Sequence, residues 1–176
     1  MTTWVGFLRG VNLGKRQMKM AELRASCEGA GFGSVKTILA SGNVRFDAKS
    51  ADEDKIRSQL EAALEKDFAF PVRVVLRSAS AIEGMIASDP FAGLDPKTDA
   101  ACHVMLAGAP IKPKPDAALL PAHVEMSRAD AREIFLVARR LPNGRYTEGL
   151  EPFGKALPKA LVITMRNWNT MLKVLA

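Results

Sequence analysis

The residue types best suited to chemistry lie in one segment near the start of the chain, residues 6–20. It predicts a buried strand, then a loop in which glycines alternate with basic residues, and then the start of a helix. Backbone N–H groups in such a loop and at a helix start point the same way, so the segment favours anion binding. The candidate ligand-binding residues of this basic loop (residues 9–19) are Arg9, Gly10, Asn12, Gly14, Lys15, Arg16 and Lys19.

The electrostatics of the predicted helix start support an anion at the basic loop. Lys15, Arg16 and Lys19 stand near a helix N-terminus, where the dipole disfavours each cation by about 0.3–1 kcal/mol. No Ser, Thr or Asp precedes the helix as an obvious cap, which leaves Asn12 as the candidate in the loop. An anion would relieve both problems. The alternative is a solvated surface turn, since charged runs are often only that, and the segment matches neither a P-loop nor GxGxxG.

The composition predicts a soluble, globular, cytoplasmic protein that does not associate with membranes. Of the 176 residues, 48% are hydrophobic and 25% are charged, as in folded domains. No stretch is apolar enough to span a bilayer, and the first residues lack the features of a signal peptide. The net charge of +6 is by itself weak evidence for nucleic-acid binding.

The two cysteines, Cys27 and Cys102, are predicted to be buried thiols in a reducing compartment. Neither they nor His103 and His123 have the spacing of metal ligands. We therefore expect no metal and no other cofactor.

The hydrophobic pattern of residues 1–78 predicts an α+β subdomain with the element order β-α-β-β-α-β, which is the ferredoxin-like order. Ser50 opens the second helix with capping-box spacing, and Ser41-Gly42-Asn43 reads as a two-residue type II′ hairpin turn. Alternation of apolar and polar residues places Arg45, Arg73 and Arg77 on one face of the sheet. That face is either an open basic surface, although no aromatic residue joins it for RNA binding, or a surface covered by the second half. The predicted strands are 4–9, 35–40, 44–48 and 71–77, and the predicted helices are 17–30 and 50–68.

Residues 79–176 predict a second α+β subdomain whose terminal helix packs back on the first. Its order of elements loosely echoes the first half, which suggests a degenerate duplication, although no residue-level repeat is visible. The loop of residues 89–99, with Pro90, Gly93 and Pro96, separates the halves. The predicted strands are 102–107, 124–127, 133–139 and 161–165, and the predicted helices are 80–88, 149–157 and 168–175, with one helical turn at 116–120.

Topology adds four residues to the candidate site. In the ferredoxin-like order, the loop after the first strand and the turn between the second and third strands lie at the same edge of the sheet. Ser41 and Asn43 are therefore expected beside the basic loop, although a plain hairpin turn also explains them. Arg166 joins the candidate site because its charge has no structural explanation. Its neighbour Asn167 is included with it, although a helix cap also explains Asn167.

Several segments resemble the bacterial family known as domain of unknown function 1697. The resemblance implies a bacterial cytosolic protein and carries no established activity. The sequence departs from the family pattern at Lys15, where a second glycine is frequent, and at Ile38, where an aromatic residue is frequent. The matching segments are residues 8–14 (LRGVNLG), 19–20 (KM), 41–46 (SGNVRF) and 164–170 (TMRNWNT).

Three functions remain open from the sequence. The favoured one is a binding module for a phosphate-bearing partner, either nucleic acid or a nucleotide-like ligand, that uses the basic loop. The second is a small acylphosphatase-like phosphohydrolase, in which Arg9 or Arg16 would act with Asn43, an analogy of placement alone. The third is a structural or interaction protein without a small-molecule site. The sequence gives no indication of whether the protein is a monomer or an oligomer.

Overall fold

In the computed structural model, which describes residues 1–12, 14–95 and 97–176, the chain forms two four-stranded antiparallel sheets and five α-helices. Leu13 of the LRGVNLG segment and Pro96 of the loop 89–99 lie outside the described residues. The chain divides into two compact units. The first contains residues 1–84 and 172–176, and the second contains residues 85–171.

The first unit has the predicted element order, and its sheet has the strand order β2-β3-β1-β4. The order β-α-β-β-α-β is thereby confirmed, while the assignment to the ferredoxin-like fold stays a prediction. A further helix, α3 (Ala79–Ala87), follows the last strand directly. The elements are β1 (Thr2–Arg9), α1 (Met20–Gly29), β2 (Gly33–Ile38), β3 (Asn43–Ala48), α2 (Glu53–Phe68) and β4 (Arg73–Ser78).

Helices α1 and α2 cover one face of the first sheet. Ile56, Leu60 and Leu64 step by four along α2, and all three are buried in the core. Helix α2 begins after Asp52, whose carboxylate accepts a hydrogen bond from Lys55 N at 3.1 Å, so the predicted start at Ser50 was two residues early.

The sequence left open whether the opposite face of this sheet is an open basic surface or a covered one, and the structure shows its central residues buried. Val5, Phe7 and Val75 are fully buried, and Arg77 is only 4% exposed. The guanidinium of Arg45 donates to the carbonyl oxygens of residues 175 and 176 at 2.7 and 3.1 Å. The alternation of side chains along a strand predicts which of them share a face of the sheet, but only the tertiary structure decides whether that face is covered.

The connection between β2 and β3 is longer than the predicted type II′ turn. Ile38 pairs with Asn43, so four residues, Leu39–Gly42, form the turn. Leu39 and Gly42 adopt positive φ angles of 59° and 78°. A Cβ atom at Gly42 would lie only 2.6 Å from Val11 Cγ2, so the turn packs closely against the residues that follow β1.

The second unit repeats the sheet of the first. Its strand order is β6-β7-β5-β8, so each strand has a counterpart in the first sheet, with β5 in the place of β1. A short 3-10 turn, Ala117–Leu119, stands where α1 stands in the first unit. The two halves therefore fit a pseudo-repeat. The elements are β5 (Ala100–Ala107), β6 (Val124–Ala129), β7 (Glu133–Arg139), α4 (Glu151–Lys155), β8 (Ile163–Asn167) and α5 (Trp168–Lys173).

The repeat extends to a buried arginine in each sheet. Val5 of β1 pairs with Arg77 of β4, and Val104 of β5 pairs with Arg166 of β8. Each guanidinium donates to the carbonyl oxygen of the preceding residue, at 2.7 Å for Arg77 and 3.0 Å for Arg166.

A capping residue then follows each of these arginines. Ser78 Oγ accepts a hydrogen bond from Ala81 N at 3.2 Å at the start of α3. Asn167 Oδ1 accepts one from Asn169 N at 2.8 Å at the start of α5. The two units therefore share a residue-level pattern that the sequence does not reveal. In each, a strand carries a buried arginine, the next residue caps a helix, and the helix follows directly.

Gly42→Ala should destabilise the first unit by about 2–4 kcal/mol, because a left-handed alanine is strained and its Cβ would overlap Val11. Gly31→Ala is the matched control in the same unit, since Gly31 also has positive φ but open space around a Cβ. It should cost only about 1 kcal/mol. Urea unfolding monitored by circular dichroism measures both losses, and equal losses would contradict the packing of this turn.

Cys102 should react with a thiol reagent at neutral pH well before Cys27. Cys27 is fully buried and burial raises the pKa of its thiol to about 12, whereas Cys102 is half-buried, with its pKa raised by burial. Above pH 9 an unfolded chain would release the Cys27 proton that the folded chain keeps, so stability should fall with rising pH there. Labelling followed by mass spectrometry measures the order, and faster reaction of Cys27 would contradict the predicted burial.

Candidate functional site

The basic loop leaves β1 through a run of left-handed residues. Gly10, Asn12 and Gly14 have φ angles of 70°, 57° and 59°. Glycine adopts this conformation without strain, and asparagine is among the few other residues that tolerate it. The sequence therefore predisposes the loop to turn back on itself, while its four basic side chains, Arg9, Lys15, Arg16 and Lys19, are exposed.

The side chain of Asn12 ties the basic loop to the β2–β3 turn. Its Oδ1 accepts a hydrogen bond from Met18 N at 2.7 Å, and its Nδ2 donates to the carbonyl oxygen of Ala40 at 2.9 Å. A backbone bond from Leu8 N to Gly42 O at 2.8 Å joins the end of β1 to the same turn. The bond from Asn12 Nδ2 to Ala40 O therefore brings the basic loop against the turn, as the order of elements predicted.

Asn43 supports the turn from inside. It is fully buried, and its Nδ2 donates to Ile38 O at 2.8 Å and to Ser41 Oγ at 2.9 Å. These two bonds account for both N–H groups of the amide. Asn43 therefore holds the shape of the turn, whereas Ser41 and the four basic side chains of the loop are exposed.

Backbone N–H groups near the start of α1 already have hydrogen-bond partners within the chain. The helix begins at Met20 rather than at the predicted Gln17, and Glu22 Oε2 lies 3.4 Å from Lys19 N as in a capping box. Asn12, the sequence candidate for a cap, binds Met18 N, two residues before the helix. An anion at this edge would therefore depend mainly on the basic side chains.

Phe70 and Arg73 belong to this edge, and the sequence reasoning missed both as site residues. The guanidinium carbon of Arg16 lies 5.1 Å over the centroid of the Phe70 ring, within the range of a cation–π contact. Arg73, at the start of β4, is the strand partner of Arg9 at the end of β1. The ferredoxin-like order of elements predicted from the sequence could have indicated Arg73, because antiparallel neighbouring strands bring the end of β1 and the start of β4 together.

Arg166 and Asn167, the remaining candidates, lie in the second unit. Arg166 is 7% exposed, and it donates to Thr164 Oγ1 at 2.6 Å in addition to Met165 O. Burial lowers the pKa of its guanidinium to about 10. Asn167 caps α5, as the sequence predicted. The expected convergence of Arg166 with the basic loop stays a prediction.

The described residues contain neither a metal-binding cluster of acidic, histidine or cysteine side chains nor a helix that could span a membrane. Within residues 1–12, 14–95 and 97–176, no three His, Cys, Asp or Glu side chains come together in a way that could hold a metal ion. In the same part of the chain, none of the helices has the length and apolar character needed to cross a bilayer.

Comparison with known proteins places the chain beside others whose function is not established. Residues 1–135 match the family described as "Protein of unknown function (DUF1697)". A solved structure, that of the conserved bacterial protein SP0830 from Streptococcus pneumoniae, is similar with a TM-score of 0.65 and 20% identity, covering 99% of this chain and 96% of that chain. At this identity the likeness extends to the fold alone. A comparison with curated proteins gave no match.

Asn12→Ala should release the Met18 amide and cost about 1–2 kcal/mol, since it removes the bond that closes the basic loop at Met18 N and the bond that joins the loop to Ala40 O of the turn. Asn12→Asp is the control, because a carboxylate still accepts from Met18 N but cannot donate to Ala40 O. We expect faster hydrogen–deuterium exchange at Met18 N in the alanine variant and near-native exchange in the aspartate variant, measured by NMR. Unchanged exchange in both variants would show that the bridge does not hold the loop.

Proposed function

The chain belongs to the DUF1697 family, and on that premise we propose that it is a cytoplasmic binding module for a phosphate-bearing partner. The partner is nucleic acid or a nucleotide-like ligand, and it binds the edge formed by the basic loop and the β2–β3 turn. The cytoplasmic location is supported by the free thiols of Cys27 and Cys102, which a reducing compartment preserves.

The observation that carries the proposal is the set of unpaired cations on the basic loop. Elsewhere in the first unit, two arginines have carboxylate partners: the exposed Arg24 pairs with Glu28 at 2.8 Å, and the half-buried Arg57 pairs with Asp54 at 2.8 Å. Among the described residues, no ion pair involves the loop cations Arg9, Lys15, Arg16 and Lys19. Four exposed cations without a carboxylate partner among the described residues, on a loop that Asn12 holds against the β2–β3 turn, favour an external anion.

The sheet beneath the basic loop adds to the positive charge. Arg9 and Arg73 stand opposite each other on β1 and β4, an arrangement of like charges that is unfavourable in an isolated sheet. Glu61 compensates only Arg73, at 3.2 Å. A phosphate group, which accepts hydrogen bonds from several cations at once, would relieve the repulsion that remains.

The acylphosphatase-like alternative has less support. It requires the amide of Asn43 to orient an acyl phosphate or a water molecule. Both N–H groups of that amide are instead used by Ile38 O and Ser41 Oγ, and the side chain is fully buried. The structural alternative explains Asn12 and Asn43, which hold the loop and the turn together, but it leaves the unpaired cations without a role.

Lys15→Glu/Lys19→Glu should weaken binding of inorganic polyphosphate and of a single-stranded DNA of about 12 nucleotides by at least about tenfold. The steepness of the salt dependence should also fall, by about 0.7 per lost phosphate contact for single strands. Fluorescence anisotropy across a salt series measures both effects.

The matched control is Lys49→Glu/Lys55→Glu, at the other end of α2, a helix of about 24 Å. Each double variant lowers the net charge from +6 to +2, so any difference between them reflects the position of the charge. Equal weakening by the two variants, or wild-type protein that binds neither probe, would contradict the proposed site.

A further inference from the structure

We infer that the partner is a single-stranded nucleic acid, and that Arg16, held over Phe70, forms a platform on which one unpaired base stacks. The inference rests on the proposed function, since the other loop cations would hold the backbone phosphates. It goes further by assigning the recognition of bases to one residue pair of the same edge.

Phe70 is placed to hold the guanidinium of Arg16 in position. It follows the C-terminus of α2, where Ala69 takes the left-handed conformation. The ring is half-buried and packs against the hydrophobic core, with its neighbour Phe68 at 6.2 Å between centroids. Because the core fixes the ring, the cation–π contact orients an otherwise mobile side chain, and Arg16 itself stays exposed.

The chemistry of the guanidinium distinguishes Arg16 from the lysines of the basic loop. A guanidinium is planar, so its face stacks on a nucleobase while its N–H groups bind phosphate in the plane. A lysine ammonium offers only a point charge. Stacking requires an unpaired base, because the faces of bases in a duplex are already covered by their neighbours.

The β2–β3 turn provides an apolar surface at the same edge. Leu39 is 49% exposed although it has positive φ, which is unfavourable for a bulky residue. The next residue, Ala40, is bound by Asn12 of the basic loop. A strained and exposed leucine beside a basic loop fits contact with the apolar faces of a nucleoside.

The face of the first sheet is not available for this role. Domains that bind RNA on an open sheet stack bases on aromatic residues of the central strands. Here the one aromatic side chain on that face of β1, Phe7, is fully buried. The edge that carries Arg16 is therefore the place where this unit offers a base a stacking surface.

The test compares an oligo(dT) of about 12 nucleotides with an abasic strand of the same length and charge, by fluorescence anisotropy at fixed salt. Wild-type protein should bind oligo(dT) at least about fivefold more tightly than the abasic strand. Arg16→Lys keeps the charge but removes the planar group, so it should abolish this preference and leave binding of the abasic strand nearly unchanged. Arg24→Lys, the same exchange at an exposed arginine paired with Glu28, should preserve the preference.

The outcomes separate this inference from the proposed function. Equal binding of the two strands by wild-type protein, or a preference that survives Arg16→Lys, would overturn the inference while a phosphate-binding function stands. Binding of neither strand would overturn both. A duplex of the same sequence that binds as tightly as oligo(dT), after correction for charge by the salt series, would also count against base stacking.

Discussion

The edge of the first unit depends on one amide side chain. Asn12 accepts from Met18 N and donates to Ala40 O, so a single residue closes the basic loop and joins it to the β2–β3 turn. The close approach at Gly42 supports the same junction, because only hydrogen fits where a Cβ would meet Val11. Without this junction, the cations of the loop would sit on a chain with many conformations, and binding would carry a larger entropic cost.

The two sheets of the pseudo-repeat have the same strand order but different side chains around equivalent central residues. Val5 and Val104 occupy equivalent central positions, but the neighbouring strand residue is Arg45 in the first unit and Phe135 in the second. Phe135 joins an aromatic cluster with Phe91 and Trp168, with centroids 5.3–6.0 Å apart. The two units therefore share a strand order set by backbone pairing, while the side chains at equivalent positions differ in polarity.

The loops that follow β1 and β5 differ in a way that bears on function. Glycines and Asn12 let the first loop turn back on the sheet, and α1 follows it. In the second unit, the connection after β5 contains several prolines and leads to a 3-10 turn instead of a helix. Lys114 of this connection donates a hydrogen bond to the carbonyl oxygen of Ala129. The exposed cations of the basic loop lie in the first unit, which supports placing the proposed binding function there.

The sequence by itself determined the type and order of the elements and the apolar stripe of α2, because periodicity and turn residues are local signals. From that order it also predicted that residues 9–19 meet the β2–β3 turn, since strand direction decides which loops share an edge. It left open whether the second sheet face is covered, and it did not predict that Leu39 enters a four-residue turn. It also missed that Phe70 holds Arg16. Those features depend on contacts between residues distant in the chain, which no local pattern encodes, and only the tertiary structure decided them.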